Sequence, residues 1–381
     1  MKGQNLQKRK KAVVWFLFLF FVFPISVKAA EQEEVLLEDL ELQQMQEAVN
    51  ELLGEETFSL EKALGEILSG EKSFSKGQIV RFLKEFLLSQ FVWDRETYVQ
   101  IILLVIVAAL FSNFTEVFGN GQTGEISFYL VYMLLAAILI HSFGTASQEV
   151  SQKLQELLLF MKALMPSYFL AVTAASGSAT AMVFYEMVMG AVYLVQVILL
   201  KAVIPGIHAY VLIQIVNFLH KEELLSRMAE LLQTIVEWTL KTCTAAMIGM
   251  QLVQNMITPA VDSLKRDVIG KTAAAIPGVG NAINGVTEVA LATAVLIRNS
   301  LGVLGILILL ALGLPPIIRL GVMTLLYKFL AAFVQPVSDK RMTGCLSAVG
   351  EGCRLLLKVL LMVELLLLIT IAILAVSFIG N

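Results

Sequence analysis

The sequence predicts an all-α fold, namely a polytopic helical membrane protein with a small extracytoplasmic N-terminal helical segment. Three observations support this class. Hydrophobic residues make up 57% of the 381-residue chain and charged residues only 15%, whereas soluble domains average about 45–50% and about 25%. The chain opens with a basic and then apolar leader. Beyond residue 96, apolar runs follow one another that are long enough to cross a bilayer as helices.

Residues 1–29 have the pattern of a secretory signal peptide. Five basic residues between positions 2 and 11 precede an apolar core at 12–27, and Val27-Lys28-Ala29 offers a small-residue cleavage site. A short core followed by such a site is typical of a cleaved leader rather than a first membrane span. The alternative is an uncleaved anchor. In both cases the residues after position 30 begin on the outer face of a membrane.

Residues 30–96 form an acidic segment that we expect to be extracytoplasmic and helical. Sixteen acidic residues stand against six basic ones, and apolar residues recur at three- and four-residue steps in short amphipathic stretches. This charge argues against nucleic acid or anionic lipid head groups as partners. We therefore predict a solvated helical segment, with an interaction surface as the alternative.

Residues 97–381 are predicted to form a multi-span transmembrane helical domain, because a helix needs about 20 apolar residues to cross the hydrocarbon. We expect about seven or eight spans plus amphipathic or re-entrant helices. The amphipathic connectors at 147–165 and 220–238 suit helices that lie in the interface plane or that cap the bundle. The strong candidate spans are 97–117, 126–146, 184–204, 299–318 and 355–379, and the weaker ones are 164–182, 205–219, 236–257, 282–298 and 319–336.

The stretch that begins 270-GKT-272 resembles the end of a phosphate-binding loop, but the residue that should be its first glycine is Lys265. A nucleotide site is therefore excluded. The small residues that follow instead indicate close helix packing in lipid. A proline and several glycines interrupt the helical pattern. Non-helical backbone at membrane depth is tolerated only where it packs against protein or lines a water-filled cavity. We predict a re-entrant or packing turn, with an ordinary loop as the alternative; its residues are Pro277, Gly278, Gly280, Asn281 and Gly285.

Four ionisable residues fall within the apolar runs: Glu288, Arg298, Glu186 and Glu364. Each is costly in hydrocarbon and is a candidate intramembrane polar residue. We expect Glu288 to line a polar interior and Arg298, next to Asn299, to mark a helix end. Glu237 and Lys241 face the same cost, but their i,i+4 spacing explains them as an ion pair.

The sequence contains no pattern that predicts catalysis, a cofactor or a metal site. The three cysteines have no metal-ligand spacing and are expected to be structural thiols in helices. The three histidines are far apart, and no nucleophile stands in the context of a base. We therefore predict a protein that is not an enzyme.

Four stretches in order along the chain resemble the stage III sporulation protein AE family of endospore-forming bacteria. They are 69-SGEKSFS-75, 165-MPSYFLAVTAASGS-178, 271-KTAAAIPGVGNAINGVTEVA-290 and 335-QPVSDKR-341. None is a reaction motif, and their combined order and spacing carry the resemblance, which extends over nearly the whole length.

The resemblance implies a multi-pass protein of the mother-cell membrane that surrounds the forespore. It further implies membership of a channel, or feeding-tube, complex that sustains late forespore development. The implied partners are the other membrane and extracytoplasmic proteins of that complex, including an ATPase, together with the lipid bilayer. The alternative function is a stand-alone small-molecule or ion transporter, indicated by the broken-helix pattern and by Glu288.

Overall fold

The computed structural model describes most of the chain after residue 120. Its backbone is described at 121–176, 180–220, 224–273, 280–336 and 338–376, and at residues 46, 47, 49, 50, 99, 103, 106 and 107. Within the long ranges, side chains are described at 126, 128–171, 186–220, 224–253, 295–336 and 338–372. The leader and nearly all of the acidic segment lie outside the described residues.

The described ranges are built from helices, which confirms the predicted all-α membrane class. A π-helical turn at Leu199–Val203 joins the helix Thr180–Ile198 to the helix Ile204–Leu219 without a break. Among the described residues, four stretches are long and apolar enough to cross a membrane: Phe128–Ala171, Glu186–Leu219, Val295–Val334 and Lys340–Ala372. The helices are α1 (Gly121–Ser176), α2 (Thr180–Ile198), α3 (Ile204–Leu219), α4 (Ser226–Ala273), α5 (Gly280–Val334) and α6 (Lys340–Val376).

The helices are longer than the predicted spans. The candidate span 126–146 and the connector 147–165 are one helix, α1, and the predicted spans from 282 to 336 are one helix, α5. A run of about 20 apolar residues predicts that a helix crosses the membrane. It does not predict where that helix ends, because packing against neighbouring helices stabilises additional helical turns at either end. The prediction that Arg298 marks a helix end is wrong, because α5 continues through it to Val334.

Connector 147–165 is a packed part of the bundle and not a separate helix at the membrane surface. Its apolar face includes Leu154, Leu157 and Met161, whose side chains are fully buried in the core. The predicted span 97–117 lies almost entirely outside the described residues, so the total number of spans remains a prediction.

The π-helical turn has a local cause in the sequence. Pro205 is the second residue of α3 and has no amide hydrogen, and a proline ring clashes with the carbonyl four residues earlier. Widening the preceding turn is one way in which a helix accommodates such a residue. The amide of Ile204 accordingly donates to the carbonyl of Leu199, five residues back.

Helix α6 lies at the centre and packs against α5, α3, α1 and α4. Helices α5 and α6 run antiparallel, because Tyr327 lies beside Gly350 and Gly313, earlier in α5, lies beside Glu364, later in α6. Helix α4 runs parallel to α6, since Gln233 bonds to Glu351 and Gln251 bonds to Thr370. Most large buried side chains are leucine, valine, isoleucine and tyrosine from these helices.

Candidate functional site: charged groups within the helical bundle

Six polar side chains of α4, α5 and α6 form a connected cluster, which we call the charged network. Its centre is Arg354, which donates to Glu237 at 3.3 Å and also pairs with Glu351. Lys358 donates to the same oxygen of Glu237 at 2.6 Å. The charged network consists of Gln233 and Glu237 of α4, Lys328 of α5, and Glu351, Arg354 and Lys358 of α6.

The network joins three helices through Glu351. Gln233 of α4 donates to this carboxylate at 3.0 Å, and Lys328 of α5 lies 3.6 Å from it. Glu351 itself is only 19% exposed, whereas Lys328 is 47% exposed. The cluster therefore has a half-buried centre and an open edge.

The charged network lies near the start of α4, near the end of α5 and close to the middle of α6. Arg354 is close to the midpoint of the candidate span Lys340–Ala372. A second ion pair, Glu149 of α1 with Arg319 of α5, also lies near the middle of its two spans. These groups are partly exposed, and a charged side chain in hydrocarbon costs about 2.5–3.5 kcal/mol on insertion scales. This band of the bundle therefore faces water or protein rather than lipid tails.

An open pocket of about 420 Å³ borders the network between α4 and α6. Glu237, Lys241 and Lys358 line its polar side, and apolar residues that include Leu240, Ile248 and Met362 line the remainder. A pocket with charges on one wall and apolar side chains on the other can accept an amphipathic partner surface or water.

Glu364 and Arg298 are both buried within the bundle. The Glu364 side chain is 4% exposed and lies against Gly313 of α5. The Arg298 side chain is fully buried, and its guanidinium donates to the side-chain oxygen of Asn299 at 3.2 Å. The two lie in different parts of the bundle, because Arg298 comes well before Gly313 along α5. The side chain of Glu186 is exposed.

The predicted re-entrant turn falls largely outside the described residues. Pro277 and Gly278 are not described, and α5 begins at Gly280, so Asn281 and Gly285 belong to its first turns. The side chain of Glu288 is also outside the described residues. The turn, and the polar lining assigned to Glu288, therefore stay predictions.

Sequence reasoning missed most of the charged network. The predicted span 355–379 began after Glu351 and Arg354. The predicted partner of Glu237 was Lys241, whereas its carboxylate accepts hydrogen bonds from Lys358 and Arg354. One signal was present: Glu351, Arg354 and Lys358 recur at steps of three and four residues, which places them on one face of a helix.

The cysteines behave as predicted. Cys243, Cys345 and Cys353 are free thiols, and each is buried in a helix. In the part of the chain that the structure describes, no group of three or more histidine, cysteine, aspartate or glutamate side chains could hold a metal ion.

Comparison with known proteins identifies the family. The family model of Stage III sporulation protein AE matches residues 58–377. A relative with the same description, from Bacillus subtilis (strain 168), is 23% identical over 320 residues, which cover 84% of this chain and 80% of the relative. No solved structure matches the chain. Because the family model covers most of the sequence and includes every helix described above, the chain belongs to the stage III sporulation protein AE family.

Proposed function

We propose that this protein is a non-enzymatic integral membrane component of a sporulation channel complex between the mother cell and the forespore. In this proposal it resides in the mother-cell membrane around the forespore and supports late forespore development. Family membership supports a role in sporulation, and the four long apolar helices support a place in a membrane. The observation that supports a place in a complex is the charged network, because its charged side chains must contact water or another protein rather than lipid.

The network also indicates how a complex would use this chain. Its open edge carries Lys328 and Lys358, which are 47% and 37% exposed. Polar groups that cannot face lipid are stabilised when a second protein or an aqueous path covers them. The partners we propose are the other membrane and extracytoplasmic proteins of the complex. They include an ATPase, which would supply energy to a chain whose 270-GKT-272 stretch is not a nucleotide loop.

Deletion of the gene in its native spore-forming host tests the function. We expect normal vegetative growth and normal engulfment, followed by loss of heat-resistant spores because the forespore is no longer sustained. The measurement is the count of heat-resistant spores together with microscopy of engulfed forespores, with the wild-type gene supplied in trans as the control. A defect in nutrient or ion uptake during vegetative growth, with normal spores, would contradict the proposal and favour the stand-alone transporter.

A further inference from the structure

The carboxylate of Glu364 is buried between α6 and α5 without a partner. Its side chain is 4% exposed, and neither of its oxygens has a hydrogen-bond partner. Burying a carboxylate without a compensating charge or donor is among the most costly arrangements in a protein, and binding a proton removes the charge. Glu364 does not belong to the charged network.

Gly313 of α5 makes the space that Glu364 occupies. A β-carbon at this glycine would overlap the Oε2 atom of Glu364 and would lie 2.9 Å from Oε1. The carboxyl group therefore lies directly against the backbone of α5. By contrast, a β-carbon at Gly321, further along the same helix, would meet nothing within 4 Å. A β-carbon at Gly305, earlier on α5, would instead meet the side chain of Leu164 at 2.8 Å. Gly313 is thus the glycine of α5 that lies against Glu364.

The same turn of α5 has backbone oxygens without their usual donors. Pro315 and Pro316 lie inside the helix, and proline has no amide hydrogen to give to the carbonyl four residues earlier. The carbonyl oxygens of Ala311 and Leu312 consequently lack the donor of a regular helix. They belong to the turn that carries Gly313, so a protonated carboxyl group would find an acceptor there.

The charged groups of the neighbouring helices are engaged elsewhere or carried at other positions. On α5, Arg319 pairs with Glu149 of α1, and on α1 Lys153 pairs with Glu156. On α6 itself, the cation nearest in sequence is Lys358, which pairs with Glu237 of α4. The other acidic, basic and histidine side chains described in the helices are His141, Lys162, Glu186, Lys201, His208, Arg227, Glu230, Lys241, Arg298, Lys328, Lys340, Arg341, Glu351 and Arg354. The tyrosines and cysteines described there are Tyr129, Tyr132, Tyr168, Tyr193, Tyr210, Tyr327, Cys243, Cys345 and Cys353.

We propose that Glu364 is a proton-binding site within the membrane domain. The side chain is held as a neutral carboxylic acid that donates its hydrogen to a carbonyl oxygen of the proline-interrupted turn of α5. Releasing the proton would leave a carboxylate against Gly313, which water or a cation would have to stabilise. The contact between α5 and α6 at this point therefore depends on protonation.

A proton fits this site better than a divalent metal ion does. Calcium takes six to eight oxygen ligands and magnesium needs an octahedron of six. Glu364 and the two freed carbonyls offer four oxygens in total. A proton needs one carboxyl oxygen and one acceptor.

Infrared spectroscopy of the full chain in liposomes tests the proposal. At neutral pH we expect the carbonyl stretching band of a protonated carboxylic acid, which Glu364→Gln removes and the matched control Glu351→Gln retains, because Glu351 is ion-paired. We further expect sodium and potassium ions to leave the band unchanged. Absence of the band from the wild-type chain would overturn the proposal, and so would its loss on addition of either cation.

A second measurement needs no variant and covers the case in which Glu364→Gln does not fold. A membrane-soluble carbodiimide reacts with protonated carboxylic acids, and peptide mass spectrometry locates the adduct. We expect modification of Glu364 at neutral pH that falls as the pH is raised, with Glu237 and Glu351 unmodified. Modification of those two residues in place of Glu364 would show that the proton is not at this site.

Discussion

Gly352→Leu is expected to cost about 3 kcal/mol or more of stability, because the site has no room for a side chain. Gly352 lies in α6 where it meets α1 and α3. A β-carbon there would overlap the Cγ2 atom of Val211 and would lie 2.9 Å from the ring of Phe143. Both side chains are buried, so neither can move aside without disturbing its own packing. The three helices would have to separate.

The midpoint of thermal unfolding in detergent checks this expectation. Gly190→Leu on α2 is the matched control, because a β-carbon at Gly190 would meet nothing within 4 Å. Leucine also favours a helix over glycine by roughly 0.5–1 kcal/mol, so the control is expected to unfold at the same or a slightly higher temperature. Equal midpoints for the two variants would contradict the packing of α6 against α1 and α3.

Reversing one charge of the network is expected to have the second large effect. Lys358→Glu would place a third carboxylate beside Glu237 and Glu351 and leave Arg354 and Lys328 as the cations. Because these groups are partly exposed, solvent screening reduces the repulsion. We expect the free energy of unfolding to fall by about 1–3 kcal/mol. We also expect less of the protein in the membrane and a lower count of heat-resistant spores.

The double variant Glu237→Lys with Lys358→Glu separates a specific contact from a general sensitivity to charge. It restores opposite charges across α4 and α6, so most of the spore count is expected to return. The control Arg227→Glu changes a side chain that is 93% exposed and is expected to have little effect, as is usual for surface pairs. Failure of the double variant to improve on Lys358→Glu would mean that Glu237 and Lys358 are not paired.

Composition was sufficient to predict the class of fold. The cost of burying charge selected Glu364 and Arg298, which are buried, together with Glu186, which is exposed. Both arguments use properties of single residues or of local windows, so they need no knowledge of neighbours. The continuous length of α5 was not predictable in this way, because Pro315 and Pro316 indicate a break. Lipid-exposed proteins tolerate such prolines when neighbouring helices support the turn.

The contacts of the candidate site could not be predicted from the sequence, because they join residues that are far apart in the chain. Glu237 and Lys358 are separated by 121 positions, and nothing in either local pattern identifies the other. The match of Gly313 to Glu364 is of the same kind. A glycine in an apolar run indicates close packing, but only the antiparallel register of α5 and α6 shows that it packs against a carboxyl group.

Cysteine accessibility along one face of α6 tests most directly whether the bundle is embedded in lipid with its charged network turned toward water or protein. Lys358 and Leu365 are both exposed on α6, at 37% and 50%. In a chain whose three native cysteines are replaced by alanine, reconstituted alone in liposomes, we expect a water-soluble maleimide to label Lys358→Cys. Leu365→Cys should stay unlabelled until detergent is added. Equal labelling of both positions without detergent would contradict a lipid-embedded bundle.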